Sequence, residues 1–204
     1  MTKKQAGKAL DFFFFIGSTY TYLVVSRIDA AATGAGVPIR WRPFSVRTIM
    51  REQSNNPFTG KPAKMGYMWR DLERRARRHS IEFRSIPPYP VDPDELANRI
   101  AALSSLEGWC PEYTRATYRS WFLEAQVPGE IPNVRAILGQ LGKDPDTVIA
   151  KADSQEIRDR YAAETDAARR LGIFGSPTFA WGSEIFWGDD RLEDALDWAQ
   201  AHDS

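Results

Sequence analysis

Cysteine is almost absent from this chain of 204 residues, which carries one sulfhydryl, at Cys110. A disulfide framework, a cysteine-rich zinc site and a dithiol redox cycle within one chain each need more than one cysteine, so all three are excluded. Histidine is nearly as scarce, because His79 and His202 are the only two and lie far apart. A Ser/His/Asp triad and a histidine-rich metal site are therefore disfavoured, and we expect no metal.

A net charge is also lacking, since 27 Lys and Arg residues balance 27 Asp and Glu residues. The balance predicts no nucleic-acid partner and no attraction to a membrane surface. The apolar runs are much shorter than the ~20 residues of a membrane span. The N-terminal segment shows no signal-peptide cleavage pattern. These features, with the scarcity of cysteine, predict a cytoplasmic protein.

The chain opens with a β-α-β pattern. Residues 9–16 contain a continuous apolar run from Phe12 to Ile16, which predicts a strand buried on both faces. Residues 19–32 predict a helix, and residues 37–44 alternate as a second strand. We expect the two strands to be parallel, joined by a right-handed crossover.

The middle of the chain is helical in pattern and the end returns to strands. Asp92-Pro93-Asp94-Glu95 predicts the capped start of a helix that ends at Gly108, whereas residues 48–61 are polar and turn-rich. Strands at 177–181 and 184–187 flank a hairpin turn and precede a helix at 190–201. The remaining predicted helices span 64–79, 112–126, 133–141, 145–152 and 154–171. The pattern predicts an α/β domain interrupted by a helical insertion.

The turn after the first strand is the most informative segment. Gly17-Ser18-Thr19 places a hydroxyl at a helix entrance, where backbone N–H groups and the helix dipole favour an anion or thiolate. A thioredoxin-like chain carries Cys-x-x-Cys in this turn, whereas the four positions here read Ser18-Thr19-Tyr20-Thr21. Taken alone, the turn favours Ser18 as an ordinary helix cap.

Four segments together resemble the 2-hydroxychromene-2-carboxylate isomerases and kappa-class glutathione transferases, in the DsbA-like branch of the thioredoxin superfamily. They are spread in order along nearly the whole chain: Phe15 to Leu23, Asn55 to Met68, Leu171 to Phe179, and Phe186 to Leu192. Two positions depart from the family pattern. Thr19 stands where proline is usual, and Arg47 follows the second strand where Leu-Gly is more usual.

The resemblance implies an α/β fold, thioredoxin-like and interrupted by a large all-helical insertion. We accordingly predict a discontinuous thioredoxin-like domain of residues 1–46 and 168–204, with a helical insertion domain of residues 47–167. The resemblance also implies a homodimer and a glutathione-dependent isomerase of aromatic catabolism. In that family mechanism a glutathione thiolate adds to a conjugated small-molecule substrate, a former double bond rotates, and the sulfur leaves.

The resemblance assigns roles residue by residue. Ser18 is the catalytic candidate that stabilises the thiolate, and Pro177 is the candidate cis-proline, whose neighbour Ser176 pairs with the cysteinyl part of glutathione. The further glutathione-binding candidates are Asn55, Trp187, Gly188, Asp189, Asp190 and Arg191. Each assignment has an alternative without a role in function: Pro177 as an ordinary strand-entry proline, Asn55 as a solvated loop residue, and one of Asp189 and Asp190 as a helix cap.

Substrate contacts are predicted at Arg42, Arg47, Lys64 and Tyr89. The two arginines lie near the end of the second strand and suit a bidentate contact with a substrate carboxylate, and the tyrosine lies in a proline-rich segment. Two other functions stay open. A kappa-like transferase would bind glutathione in the same way but release a conjugate, and a non-catalytic thioredoxin-like binding module would not respond to glutathione.

Overall fold

One mixed sheet brings the two most informative loops together. The computed structural model describes residues 9–202, and its strands are β1 Leu10–Phe14, β2 Ile39–Pro43, β3 Thr178–Trp181 and β4 Glu184–Trp187. They pair in the order β2-β1-β3-β4, with β1 parallel to β2 and antiparallel to β3. Because Phe13 pairs with Thr178, the residues after β1 lie beside those that precede β3.

Helices supply most of the remaining structure. Within residues 9–202 they are α1 Thr19–Val25, α2 Ile28–Ala35, α3 Val46–Glu52, α4 Pro62–Arg78, α5 Leu96–Glu107, α6 Cys110–Glu124, α7 Ile131–Gln140, α8 Pro145–Ala152, α9 Gln155–Arg170 and α10 Leu192–Ala201. A short 3-10 helix, Asp189–Arg191, precedes α10. Seven of them, α3 to α9, follow one another between β2 and β3, so the predicted thioredoxin-like fold with a large helical insertion is confirmed.

The aromatic run of β1 is buried on both faces, as its unbroken apolar sequence predicts. Phe12 packs against Phe179 with ring centroids 5.4 Å apart and against Trp41 at 5.0 Å. On the opposite face Phe13 packs edge-on against Phe44 at 5.9 Å, within a smaller cluster formed with α3 and α9. This packing anchors the strand that leads into Ser18.

Two predicted elements differ from the structure. The helix expected over 19–32 is two helices, because the helical conformation is interrupted at Ser26 and Arg27. The Ser26 hydroxyl donates to the Tyr22 carbonyl at 2.8 Å. The segment expected to be a loop begins with α3, which Ser45 caps by accepting the Thr48 N–H at 3.2 Å. A serine two residues after Pro43 was the signal for that start.

The start of α5 also differs. We expected an Asp92 cap with the helix following at once, but α5 begins at Leu96 after Glu95, which has φ 56°. Asp92 instead accepts the Ala97 N–H at 3.1 Å from outside the helix.

None of the helices in the described part of the chain has the length and hydrophobicity that crossing a membrane requires.

The domain boundaries after residues 46 and 167 stay a prediction. Residues 1–8 and 203–204, which belong to the predicted thioredoxin-like domain, lie outside the described residues.

Candidate active site

Ser18 lies at the entrance to α1 but its hydroxyl points elsewhere. Gly17 has φ 129°, a value that L side chains rarely adopt, and so allows the turn. Among the described residues, the Ser18 side chain caps no N–H of α1. The Ser18 Oγ donates instead to the carbonyl oxygen of Ser176 at 2.6 Å. The hydroxyl is thus directed across the turn, and the simple capping role is not the one observed.

Gly17→Ala is expected to lower the free energy of unfolding by about 1–3 kcal/mol. The added Cβ would lie 2.6 Å from Phe15 Cε1, at a φ that alanine rarely takes. Gly34→Ala is the control, because its Cβ meets nothing within 4 Å and alanine favours a helix by about 1 kcal/mol. Urea denaturation of both variants checks this, and equal effects at the two positions would contradict it.

Ser176 ties the segment before β3 to the turn. The Ser176–Pro177 peptide bond is cis, as predicted for Pro177. Ser176 Oγ accepts the Phe15 N–H at 3.0 Å and lies 3.1 Å from Thr21 Oγ1. Ser18 and Thr21, the first and last of the four positions that the sequence analysis compared with Cys-x-x-Cys, are therefore both hydrogen-bonded to Ser176.

Tyr118 supports the same turn from helix α6. Its hydroxyl lies 2.9 Å from the Phe15 carbonyl oxygen and 3.0 Å from that of Ser18, so one O–H bridges both. Burial raises the pKa of the Tyr118 phenol, which keeps it a neutral donor. The insertion thus contributes directly to the geometry of the turn.

The loop after β4 places an aromatic pair at the surface. Trp187 is 54% exposed and meets Phe174, which is 40% exposed, with ring centroids 4.9 Å apart. Gly175 leaves room for the indole, since a Cβ there would overlap Trp187 Nε1. The Gly188 N–H donates to the Pro177 carbonyl at 3.0 Å, which joins this loop to the cis-proline segment.

Asp189 is buried and its charge is compensated. Arg75 of α4 contacts both carboxylate oxygens, with Nε at 2.8 and 3.0 Å and Nη2 at 2.7 Å. Arg27 donates to the Asp189 carbonyl oxygen. Burial raises the pKa of Asp189, and the Arg75 guanidinium acts against that rise. Asp189 therefore joins the insertion to the loop.

Asp190 and Arg191 are exposed beside it. Their side chains pair at 3.1 Å, and Arg191 also pairs with Asp194 at 2.7 Å. The residues at the N-cap positions of the 3-10 helix and of α10 are Gly188 and Arg191, so neither aspartate occupies the cap position.

Helix α4 lies against α1 next to the turn. Tyr20 donates to Asp71 at 2.9 Å, and Thr19 donates to the sulfur of Met68 at 3.2 Å. Thr19 is buried, so its hydroxyl is used in packing α4 against α1.

Three predicted residues lie in or near the α3–α4 loop and the proline-rich segment. Tyr89 packs edge-on against Trp69 at 5.6 Å and Phe58 at 6.0 Å, and Lys64 lies over the Phe58 ring at 5.8 Å. Asn55 is exposed and its backbone N–H donates to Met50. Phe58 thus brings Lys64 and Tyr89 together.

The two predicted arginines have protein partners. Arg42 pairs with Asp11 at 3.0 Å and with Glu164 at 2.7 Å. Arg47 donates to the carbonyls of Val91 and Asp92 and lies over the Phe15 ring at 4.8 Å. Both side chains are partly buried, and both guanidinium groups already have hydrogen-bond acceptors within the protein.

The structure therefore links the turn, the cis-proline segment and the last loop through contacts of Ser18, Ser176, Pro177 and Gly188. The sequence analysis missed Tyr118 and also Asn98 of α5, whose side chain exchanges two hydrogen bonds with Ile16 just before the turn. No local signal marks either one, because each meets the turn only through the tertiary fold.

A family model described as DSBA-like thioredoxin domain matches residues 9–198. The chain is 25% identical over 187 residues to a 2-hydroxychromene-2-carboxylate isomerase of Pseudomonas putida, covering 90% of each chain. It is 26% identical over 204 residues to "Glutathione s-transferase kappa 2" of Caenorhabditis elegans, covering 93% of this chain and 91% of that one. Among solved structures it is similar to a 2-hydroxychromene-2-carboxylate isomerase, with a TM-score of 0.83, 25% identity and coverage of 95% and 94%.

Proposed function

We propose that this chain, which belongs to the DSBA-like thioredoxin domain family, is a glutathione-dependent isomerase of a conjugated, aromatic-derived small molecule. Its similarity, over 90% of its length, to a protein named as an isomerase indicates that it is an enzyme. The observation that carries the proposal is the Ser18 hydroxyl, which does not cap its helix and lies 2.6 Å from the Ser176 carbonyl beside Pro177.

The residues around Ser18 fit glutathione. Ser18 offers a hydroxyl donor to a thiolate, and the exposed Asp190–Arg191 pair offers both signs of charge to the γ-glutamyl ammonium and carboxylate. Asp189 is already neutralised by Arg75, so we assign it to shaping the loop and Asp190 to the ammonium. The proposed glutathione-binding residues are therefore Ser18, Asn55, Ser176, Pro177, Trp187, Gly188, Asp190 and Arg191, and Asp189 shapes the loop that carries the last of them.

When bound, glutathione supplies the thiol nucleophile that adds to a conjugated double bond and later leaves. A free thiol has a pKa of about 8.5, and lowering that pKa by about 2 needs about 2.7 kcal/mol of thiolate stabilisation. One hydrogen bond to a charged group contributes about 1.5–3 kcal/mol, so the Ser18 O–H supplies much of this once it turns from the Ser176 carbonyl. The same donor favours departure of the sulfur, since departure also forms a thiolate.

A kappa-like transferase is the second candidate, and the similarity to the Caenorhabditis elegans protein supports it. The two functions differ in what happens to glutathione. An isomerase leaves total glutathione unchanged over many turnovers, whereas a transferase consumes one glutathione for each product. Measuring free thiol during turnover separates them.

The proposed substrate contacts remain Arg42, Arg47, Lys64 and Tyr89. We also propose that the protein is a homodimer and that it is cytoplasmic.

Glutathione is expected to stabilise the protein against heat. At a concentration of 100 times its Kd it adds about 2.7 kcal/mol to the free energy of unfolding, which raises the Tm by roughly 5–10 °C for a chain of this size. A thermal-shift titration checks this, with cysteinylglycine, which lacks the γ-glutamyl group, as the control ligand. An unchanged Tm up to millimolar glutathione would contradict both enzyme functions and leave the binding module.

A further inference from the structure

Besides Tyr118, a second side chain from the insertion holds the backbone just before the Ser18 turn. β1 ends at Phe14, and two residues later the Ile16 N–H donates to Asn98 Oδ1 at 2.7 Å while Asn98 Nδ2 donates to the Ile16 carbonyl at 2.8 Å. The Asn98 carboxamide therefore pairs with Ile16 as a neighbouring strand would, although 82 residues separate the two.

Asp92 fixes the orientation of that carboxamide. Asn98 Nδ2 donates its second hydrogen to Asp92 Oδ2 at 2.8 Å, and the Asn98 backbone N–H donates to the same oxygen at 3.3 Å. A reversed carboxamide would place an oxygen against both the Ile16 carbonyl and the Asp92 carboxylate, so only the observed orientation satisfies all partners. Asn98 and Asp92 are 0% and 1% exposed, so water does not compete with these bonds.

The site of contact matters because the next residue is Gly17, the most permissive residue in the turn. Ile16, immediately before it, sets the direction from which the chain enters the turn. An error there would be passed through Gly17 to the Ser18 hydroxyl, and a misplacement of about 1 Å at a catalytic group can cost on the order of a hundredfold in rate.

We propose that Asn98, oriented by Asp92, is a positioning residue for Ser18: its carboxamide fixes the Ile16 peptide and thereby the direction of the Ser18 hydroxyl. The inference rests on the proposed function, since it assigns Asn98 a role in stabilising the bound thiolate. Asn98 would set the direction of the Ser18 hydroxyl and would not itself contact the thiolate.

The test is the pKa of the glutathione thiol in complexes of three variants, followed by thiolate absorbance against pH. Asn98→Ala is expected to raise that pKa by about 1, a roughly tenfold loss of thiolate stabilisation, with glutathione affinity within about threefold because the peptide contacts remain. Asn133→Ala is the matched control, because Asn133 is also buried and bonds Ser120 and Val127 within the insertion. It is expected to lower the Tm but leave the thiol pKa unchanged.

Ser18→Ala separates the two claims. If Ser18→Ala raises the thiol pKa and Asn98→Ala does not, the positioning role is overturned and the proposed function stands. If Ser18→Ala itself has no effect, the proposed function fails and this inference with it. Should Asn98→Ala not fold, Asp92→Asn keeps Asn98 and leaves one carbonyl oxygen for the three N–H donors that the two Asp92 oxygens accept. A smaller rise in the thiol pKa supports the role, and none overturns it.

Discussion

Ser18→Ala lowers kcat at pH 7 by at least roughly tenfold, because the bound thiol loses its hydroxyl donor and its pKa returns towards about 8.5. The loss has a pH signature. At about pH 9 most of the thiol is ionised in either protein, so the two kcat values should approach each other within about twofold. A pH profile of kcat with saturating glutathione measures both limits.

Ser26→Ala is the matched control for this experiment. Ser26 follows the same helix, and its hydroxyl also donates to a carbonyl, that of Tyr22 at 2.8 Å. The variant removes the same atom from the other end of α1 and is expected to leave the pH profile unchanged. A Ser18→Ala defect that is equal at all pH values would contradict thiolate stabilisation and would point to a steric or folding effect.

Arg75→Met lowers the free energy of unfolding by about 3–5 kcal/mol, because it leaves the buried Asp189 carboxylate without its partner. Asp189 has only 4% of its side chain exposed, and Arg75 is 20% exposed. An unpaired buried carboxylate escapes its cost by taking up a proton. The loss should therefore shrink as the pH falls from about 8 to about 5, and urea denaturation at several pH values measures it.

Arg74→Met is the control for that prediction. Arg74 is the neighbour of Arg75, but its pair with Asp71 is 3.3 Å long and its side chain is 48% exposed. Ion pairs that solvent reaches in this way contribute about 0–1 kcal/mol. Adding Asp189→Asn to Arg75→Met should restore part of the stability, since it removes the unpaired charge. A loss below about 1 kcal/mol for Arg75→Met would show that the buried pair does not hold the loop to α4.

The elements that the sequence predicts well are those whose burial repeats regularly. The apolar run of β1 and the Gly182-Ser183 hairpin between β3 and β4 could be predicted because strand burial and turn chemistry are local properties. The break at Ser26 could not, because helical spacing continues across it and the tertiary packing decides where α1 ends. The start of α3 was visible only as a single serine cap.

The same distinction applies to the site. Ser18 and Pro177 lie in recognisable segments, and the cis bond before Pro177 is observed. The partners that give them their geometry come from distant helices: Tyr118 is 100 residues from Ser18, and Asn98 is 82 from Ile16. Asp189 illustrates the limit most clearly. Its motif was predicted from the family pattern, but its neutralisation by Arg75 depends on where α4 packs.

The most direct test of the central claim is the pKa of the glutathione thiol bound to the unaltered protein, compared with the same thiol free in solution. If Ser18 stabilises the thiolate, the bound thiol should titrate with a pKa of about 6.5, roughly 2 below that of the free thiol, and Ser18→Ala should remove most of that difference. A bound thiol that titrates at about 8.5 in both proteins would contradict the account, because Ser18 would then have no effect on the nucleophile.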